Sequence, residues 1–419
     1  MNIEKVKSNV CLIKACSRST HKESKYCIFH AKPEEKNEKK FKQALKKYVN
    51  KVKKEDDDYD FKKFIFVGNI NFKKDFNVTL FKKANFNSTI FKGISNFEGI
   101  VFEENAFFRN AIFENAAFLS TTFKGNANFR SAIFYYANFK NSTFRSNANF
   151  RNVTFGTVYF RSTKFNKFVS FRSTTFNKYA NFKNAIFRGI VTFLYATLVP
   201  GKKLNIKAEG TGIIVFEQTN LENVFLDLNL DKGVLIDFTN VLLKNTKINK
   251  DQIEKHILQE DRKKFFRAKE IYLLLKNNFH SIGKYDDESW AFKKEKDMER
   301  KSNCHFKTLH KWLWSCFLNG IFGYGEQPGK VIISAISIIL IFTFLFMISG
   351  ISDTSIGGFT SNNFIDCVYF SVITFTTLGY GDFRPLEGCG RVFAGTEAFI
   401  GALMMALFIY TFARRTGGR

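Results

Sequence analysis

The sequence predicts a multidomain chain in which a right-handed quadrilateral β-helix is followed by an α-helical, two-transmembrane unit. Three observations carry this. Phenylalanine recurs every five or six residues from Phe81 to Phe193. Two long apolar stretches lie at 331–350 and 392–412, the second with Glu397 as its only ionisable residue. The 419 residues hold 64 Lys+Arg against 38 Asp+Glu, a formal +26, and nearly all the basic residues precede the first apolar stretch. A chain of this length exceeds one ordinary core. The expected division is a Cys/His module at 1–35, a charged linker at 36–60, the β-helix at 61–250, a helical linker at 251–327 and the membrane unit at 328–419.

The β-helix follows from a period. The chain has 53 Phe and only 4 Pro, a skew that signals a repeat. A small or β-branched residue stands two positions before almost every Phe, as in Ala127/Phe129, Ala132/Phe134, Ala137/Phe139 and Ser142/Phe144. A period of five fits neither a helix nor a strand alone. It fits one side of a square coil, with the Phe and the small residue pointing inward. Phe108, Phe113, Phe118 and Phe123 are followed by a longer step to Phe129, and the pattern recurs at Phe150 and Phe171. Four sides and one extra residue at a fixed corner make each coil, and coils stack about 4.8 Å apart. Weaker copies at Phe216, Leu221, Leu226, Phe238, Leu243 and Ile248 extend the rod to about residue 250. These residues resemble the pentapeptide-repeat family, with Phe where Leu is usual.

In that register Arg109, Arg130, Arg151 and Arg172 stack on one outer face. Like charges facing each other on neighbouring strands are unfavourable. One reading is an anion-binding ladder for a nucleotide or nucleic acid. The reading preferred from sequence is a solvated face that limits aggregation, helped by acids on adjacent columns, with no aromatic platform exposed beside it. No nucleic-acid partner is expected.

Near the N-terminus, Cys11, Cys16, Cys27 and His30 suit a closed tetrahedral Zn²⁺ site. The site would be structural, since no water-activating residue accompanies it. His21 is an alternative to His30, and free thiols in a loose tail are the plain alternative to a metal. Seven scattered cysteines imply no disulfide framework. The polar, Lys-rich beginning does not read as a secretory signal. The 36–60 stretch is read as a helix or tether. Residues 250–302 alternate apolar and charged residues at helical spacing, predicting two helices, and Lys307 to Leu318, with Trp312 and Trp314, predicts an amphipathic helix at a membrane interface.

Each apolar stretch has about the 20 residues that span a bilayer. Between them only Arg384 and Arg391 are basic, whereas Lys-rich sequence precedes them and Arg414 and Arg415 follow. Both termini are therefore expected in the cytoplasm of a multi-pass protein of the cell (inner) membrane.

The segment between the spans contains Thr376-Thr377-Leu378-Gly379-Tyr380-Gly381-Asp382. A dehydrated cation needs replacement oxygens, which rings of backbone carbonyls supply. Glycines at 379 and 381 allow the backbone angles that turn successive carbonyls to one axis. The stretch strongly resembles the selectivity filter of potassium channels, and the resemblance covers the last ninety or so residues. It implies a homotetramer in the lipid bilayer, with K⁺ held by the carbonyls of Thr377, Leu378, Gly379 and Tyr380 and by the Thr377 hydroxyl. Gly381 completes the filter, and Thr376 and Asp382 support it. The resemblance further implies a pore helix and filter over 363–382, an aromatic cuff at Tyr369 and Phe370, and a gating hinge at Gly401.

Two residues depart from the family pattern. Leu378 stands where Val or Ile is usual, and Ile373 where some members brace the Asp382 region with a carboxylate. A weakly selective cation channel is therefore the nearest rival reading, and a membrane-tethered binding scaffold with a basic β-helix is the rival from another class. Glu397 is an acid inside the second span: a functional group or a side chain solvated at the interface. Gly323-Tyr324-Gly325-Glu326 mimics a filter but precedes the first span and reads as a turn. No phosphate-binding loop, hydrolase constellation or nucleophile–base pair is evident, so no enzyme is expected. Neither a voltage sensor nor a nucleotide-binding regulator is recognisable, which leaves an unknown cytoplasmic ligand or partner acting through the rod.

Overall fold

The computed structural model describes residues 10–14, 16–21, 24–55, 57–303, 309–354 and 359–416. They form two compact units, Met1–Asp287 and Glu288–Arg419.

The first unit is the β-helix. Parallel strands stack into three ladders of nine, eight and seven strands, the longest running from Asp58–Asp60 to Leu235–Asp237. The third ladder turns a corner within each strand, so that Phe113 and Ala116 of Ile112–Ala117 are both buried. The 21-residue register holds where the period is cleanest: Phe113 pairs with Phe134, Phe123 with Phe144 and Ala127 with Ala148. Outside it the coils lengthen. Val169 pairs with Val191, and a bulge enters opposite Phe155–Thr157.

The sequence makes this coil for identifiable reasons. Each Phe sits at the centre of a side and lies flat on its equivalent one coil away. The Phe108–Phe129 and Phe129–Phe150 ring centroids are 4.8 Å and 5.0 Å apart, with interplanar angles of 6° and 0°. Ala and small polar residues fill the space between these columns. Buried hydroxyls satisfy themselves on backbone, as when Thr121 Oγ1 donates to the Phe97 carbonyl at 2.8 Å and Thr163 Oγ1 to Phe139 at 2.8 Å. Corners take the left-handed conformation at Asn110, Ser131, Asn152 and Ser173, with φ of 57°, 58°, 58° and 53°. Asn and Ser tolerate it because their short polar side chains bond locally.

Both ends of the coil are covered, as stacked repeats require. At the first end α1 (Glu38–Lys54) buries Phe41, Leu45, Val49 and Val52, so the charge-dense 36–60 stretch contains a packed helix and not a free tether. A short α2 (Phe72–Phe76) adds Phe72 and Phe76 to the core. At the other end α3 (Leu258–Asp261) and α4 (Phe265–Ser281) close the coil. There the Asn278 amide donates to the Thr246 carbonyl and accepts from the Thr246 N–H, both at 2.9 Å. A helix α5 (Tyr285–Ser302) follows, its residues falling on both sides of the division between units.

The second unit holds α6 (Leu309–Phe322), α7 (Pro328–Ser349), α8 (Phe364–Phe375) and α9 (Cys389–Thr416). The expected helix start at Lys307 lies outside the described residues. The Gly323–Gly325 segment is a tight turn with Tyr324 at φ 59°. α7 and α9 are each long and apolar enough to cross a membrane. Their flanks stay open, with Ile333 67%, Ile348 82% and Phe399 68% exposed, which suits lipid or further chains and not water. The shorter α8 packs between them through Phe342, Phe346, Cys367, Phe370 and Ile373. A three-stranded antiparallel sheet, Ile351–Asp353, Phe359–Ser361 and Phe383–Pro385, joins the segments before and after α8.

Candidate ion pathway and metal centre

The filter segment leaves the C-terminus of α8, where helix carbonyls tie down the next amides. Thr377 N donates to the Thr374 carbonyl at 3.1 Å and Leu378 N to Ile373 at 2.9 Å. With the amides directed back at the helix, the carbonyls are left for the other side. Left-handed φ alternates along the strand: Thr377 at 56°, Gly379 at 52° and Gly381 at 84°, with Leu378 and Tyr380 outside that region. Alternation of this kind turns successive carbonyls toward one side of the ribbon, the geometry that cation coordination needs. The C-terminal end of the α8 dipole adds partial negative charge beside it. Residues 377–381 are exposed in the single chain.

The supports of this strand differ in part from the expected cuff. Tyr369 Oη donates to Asp382 Oδ2 at 2.8 Å and its ring lies edge-on to Phe383. Phe370 turns the other way, buried against Phe346 with centroids 4.8 Å apart. Ile373, where a carboxylate brace could stand, is buried in apolar packing, so Tyr369 takes the bracing role. Thr354, which the sequence did not single out, holds the exit of the strand through its hydroxyl, 2.8 Å from the Gly381 and 2.7 Å from the Asp382 carbonyl oxygen. Thr376 Oγ1 is spent on the Val372 carbonyl at 2.7 Å.

Glu397 is fully buried, which removes the interfacial-solvation reading. Its carboxyl meets the Ser371 hydroxyl, and that hydroxyl is 3.0 Å from the Ile339 carbonyl oxygen. One polar cluster thus joins α9, α8 and α7. The second Glu397 oxygen has no hydrogen-bond partner among the described residues. Ser371 was legible only as a lone hydroxyl in an apolar helix. Gly401 is a place of close approach: a Cβ there would run into the Phe375 carbonyl. α9 continues through it as one helix.

In the first unit Cys11, Cys16, Cys27 and His30 are all buried, and their candidate ligand atoms lie within 4.8 Å of one another. Cys16 Sγ is 3.8 Å from Cys27 Sγ, and His30 Nδ1 is 3.4 Å from Cys11 Sγ and 3.2 Å from Cys27 Sγ. Zn–S bonds of about 2.3 Å at tetrahedral angles place sulfurs about 3.8 Å apart, so the residues fit the ion. His30 Nε2 is 3.3 Å from the Lys62 carbonyl oxygen. That contact fixes the N–H on Nε2 and frees Nδ1 to ligate. Burial lowers the His30 pKa and keeps the ring neutral, and it pushes the Cys27 thiol up to about 12. A cation supplies the charge that burial otherwise denies a thiolate. His21 lies outside the cluster.

The arginine ladder forms in the expected register: Asn110, Ser131 and Asn152 N–H groups donate to the Arg130, Arg151 and Arg172 carbonyls, each at 2.9 Å. Its surroundings correct the sequence reading. Its neighbours on the face are Asn126, Asn128, Asn147 and Asn149, and the acids of the adjoining sides, Glu114 and Glu103, pair with Lys92 and Lys124. Aromatics are exposed beside it, namely Phe107, Phe168 and Tyr195.

Comparison with known proteins agrees with both halves of this description. Residues 333–417 match the family model described as "Ion channel", and 86–133 and 129–175 match "Pentapeptide repeats (9 copies)". An ion channel domain follows a run of pentapeptide repeats in this chain. A stretch of 54 residues is 39% identical to "Two pore potassium channel a" of Oryza sativa subsp. japonica, covering 13% of this chain and 16% of that protein. A stretch of 79 residues is 38% identical to "Probable potassium channel protein 2" of Methanocaldococcus jannaschii, covering 19% and 21%. The chain therefore spans about a fifth or less of these relatives' length. No solved structure matched.

Proposed function

We propose that this protein is a potassium-selective channel subunit that passes K⁺ down its electrochemical gradient. The observation that carries the reading is the alternating left-handed backbone at Thr377, Gly379 and Gly381, with the Thr377, Leu378 and Gly379 amides tied back to α8. One such strand offers oxygens from one side only, so four chains around an axis complete the coordination shell. Thr377, Leu378, Gly379 and Tyr380 line the ion path by their carbonyls, Asp382 and Tyr369 hold its outer end, and Gly401 is the pivot of α9. The chain sits in the cell membrane with both termini in the cytoplasm, and the β-helix regulates the pore. Cys11, Cys16, Cys27 and His30 hold a structural Zn²⁺ that ties the N-terminal residues to the first coil through Lys62.

The reading is tested by K⁺ efflux from liposomes holding the purified full-length protein. Efflux blocked by Ba²⁺ and abolished by Gly379→Ala is the expected result. Efflux that persists in Gly379→Ala defeats the assignment of the filter.

A further inference from the structure

Four arginines rise from equivalent positions on successive coils, whose backbones lie about 4.8 Å apart, and like charges so placed disfavour one another. Elsewhere on the rod some cations have acid partners, although Lys140, Arg161 and Lys183 stack on another face without one among the described residues. Lys92 pairs with Glu114 at 3.1 Å, Lys124 with Glu103 at 3.2 Å and Arg188 with Glu209 at 3.4 Å. Arg109, Arg130, Arg151 and Arg172 make no ion pair among the described residues. The segments that carry them, 105–109, 126–130, 147–151 and 168–172, contain no acid at all. The Arg151 Nε–H is buried and without an acceptor among the described residues. A face so arranged lacks an anion.

Its other groups narrow what the anion is. Asn126, Asn147, Asn149, Arg151, Phe168 and Arg172 are among the residues that line a groove of about 480 Å³. That volume lies in the range of small-molecule sites, not of a long polymer track. Asn126 and Asn147 already stack by amide-to-backbone bonds, Asn126 N to Asn105 Oδ1 at 2.9 Å and Asn147 N to Asn126 Oδ1 at 3.2 Å. Their NH₂ groups remain to meet a ligand. Phe168 is 43% exposed, an apolar ring on an otherwise polar face. Phe168 and Arg172 sit four residues apart on one side of the coil, roughly 13 Å at strand rise. Arg172 also lies under the Tyr195 ring, 5.7 Å from its centroid, which steadies the guanidinium.

We propose that this face binds a nucleotide, with its phosphates seated across Arg151 and Arg172 and its base against Phe168. Arginine's planar fork matches phosphate oxygens in pairs, and neighbouring coils present two forks side by side. A base stacks on an exposed aromatic ring whatever its sequence identity, and the amides of Asn147 and Asn149 face the sugar between. The site involves the rod alone, so it stands or falls separately from the conduction reading.

The test is equilibrium dialysis of the detergent-solubilised full-length protein against labelled ATP and GTP. Inorganic phosphate, adenosine and an oligo-dT strand serve as competitors. Saturable binding of at least one nucleotide is expected, weakening as salt rises. Arg151→Ala and Arg172→Ala each lower affinity about tenfold or more, the worth of a charge-assisted pair. Phe168→Ala lowers it several-fold, and Arg151→Lys falls between parent and Ala. Lys124→Ala, on another column, leaves binding unchanged. Circular dichroism melts check that each variant retains the β-helix. Absence of saturable binding by both nucleotides overturns the proposal, as does binding unaffected in Arg151→Lys and Arg172→Ala. Phosphate competing as well as ATP removes the base from the account, and tighter capture of oligo-dT assigns the face to nucleic acid instead.

Discussion

Replacing Tyr369 by Phe removes one hydroxyl and leaves the ring that packs edge-on to Phe383. The lost interaction is the 2.8 Å bond to Asp382 Oδ2, and buried Ile373 offers no second polar brace from α8. A net hydrogen bond is worth about 1 kcal/mol, and the upper end for a charged acceptor is about 3. The lower figure is the fair one here, because Tyr369 is 38% exposed in the single chain. The proposed pore has four such bonds, and a filter that loosens as a unit loses all of them together. The sum, about 4 kcal/mol, shifts the ratio of conducting to collapsed filter by roughly a thousandfold. A preparation in which the parent filter is comfortably ordered therefore becomes one in which Tyr369→Phe is mostly non-conducting or poorly selective. The assay is K⁺ against Na⁺ flux in liposomes at matched protein content. Asp382→Asn alone and combined with Tyr369→Phe completes a cycle in which the second change adds little to the first. Phe370→Leu is the contrasting control: Phe370 packs on Phe346, so it lowers thermal stability and leaves the flux ratio in place. Tyr369→Phe with parental flux and parental ion preference refutes the bracing argument.

Chelating the metal under reducing conditions is expected to release one Zn²⁺ per chain and expose the thiols of Cys11, Cys16 and Cys27 to a maleimide reagent. Hydrogen exchange should rise around Lys62, whose carbonyl His30 holds, while the central coils stay protected; full protection after metal loss contradicts a structural role. Phe129→Ala opens a hole beneath two stacked rings in a fully buried column. Its expected cost is about 3–5 kcal/mol, read as a lower midpoint in urea melts followed by the β signal. Ser371→Ala leaves the buried Glu397 carboxyl without its hydroxyl partner, at about 1–3 kcal/mol per chain. Heat dissociation of the proposed tetramer on gels should move to lower temperature, and Glu397→Leu in the same background should recover part of the loss.

Much of this architecture is legible in the sequence because its determinants are local and periodic. The Phe spacing dictates the coil, and the register at Ala127–Ala148 follows from counting residues. The apolar runs and the Gly379/Gly381 pair need no tertiary knowledge either. What the sequence hid depends on which face a residue turns. Charge density at 36–60 masked the spacing of Phe41, Leu45, Val49 and Val52, which α1 buries. Phe370 and Tyr369 are adjacent in sequence but point to different neighbours, and only the packing of α7 separates them. Glu397 lies in the first third of its helix, and the Ser371 hydroxyl that meets it comes from another element. The acid-free segments of the arginine ladder were within reach of the same count, whereas the exposure of Phe168 and Tyr195 beside it needed the structure.

The most direct test of the account is the reversal potential across a planar bilayer containing the full-length protein, with K⁺ on one side and Na⁺ on the other. A potassium-selective filter built on Thr377 to Gly381 drives that potential far toward the K⁺ equilibrium value, and Gly379→Ala abolishes the current. A reversal potential near zero, carried by a current that Gly379→Ala leaves intact, contradicts it.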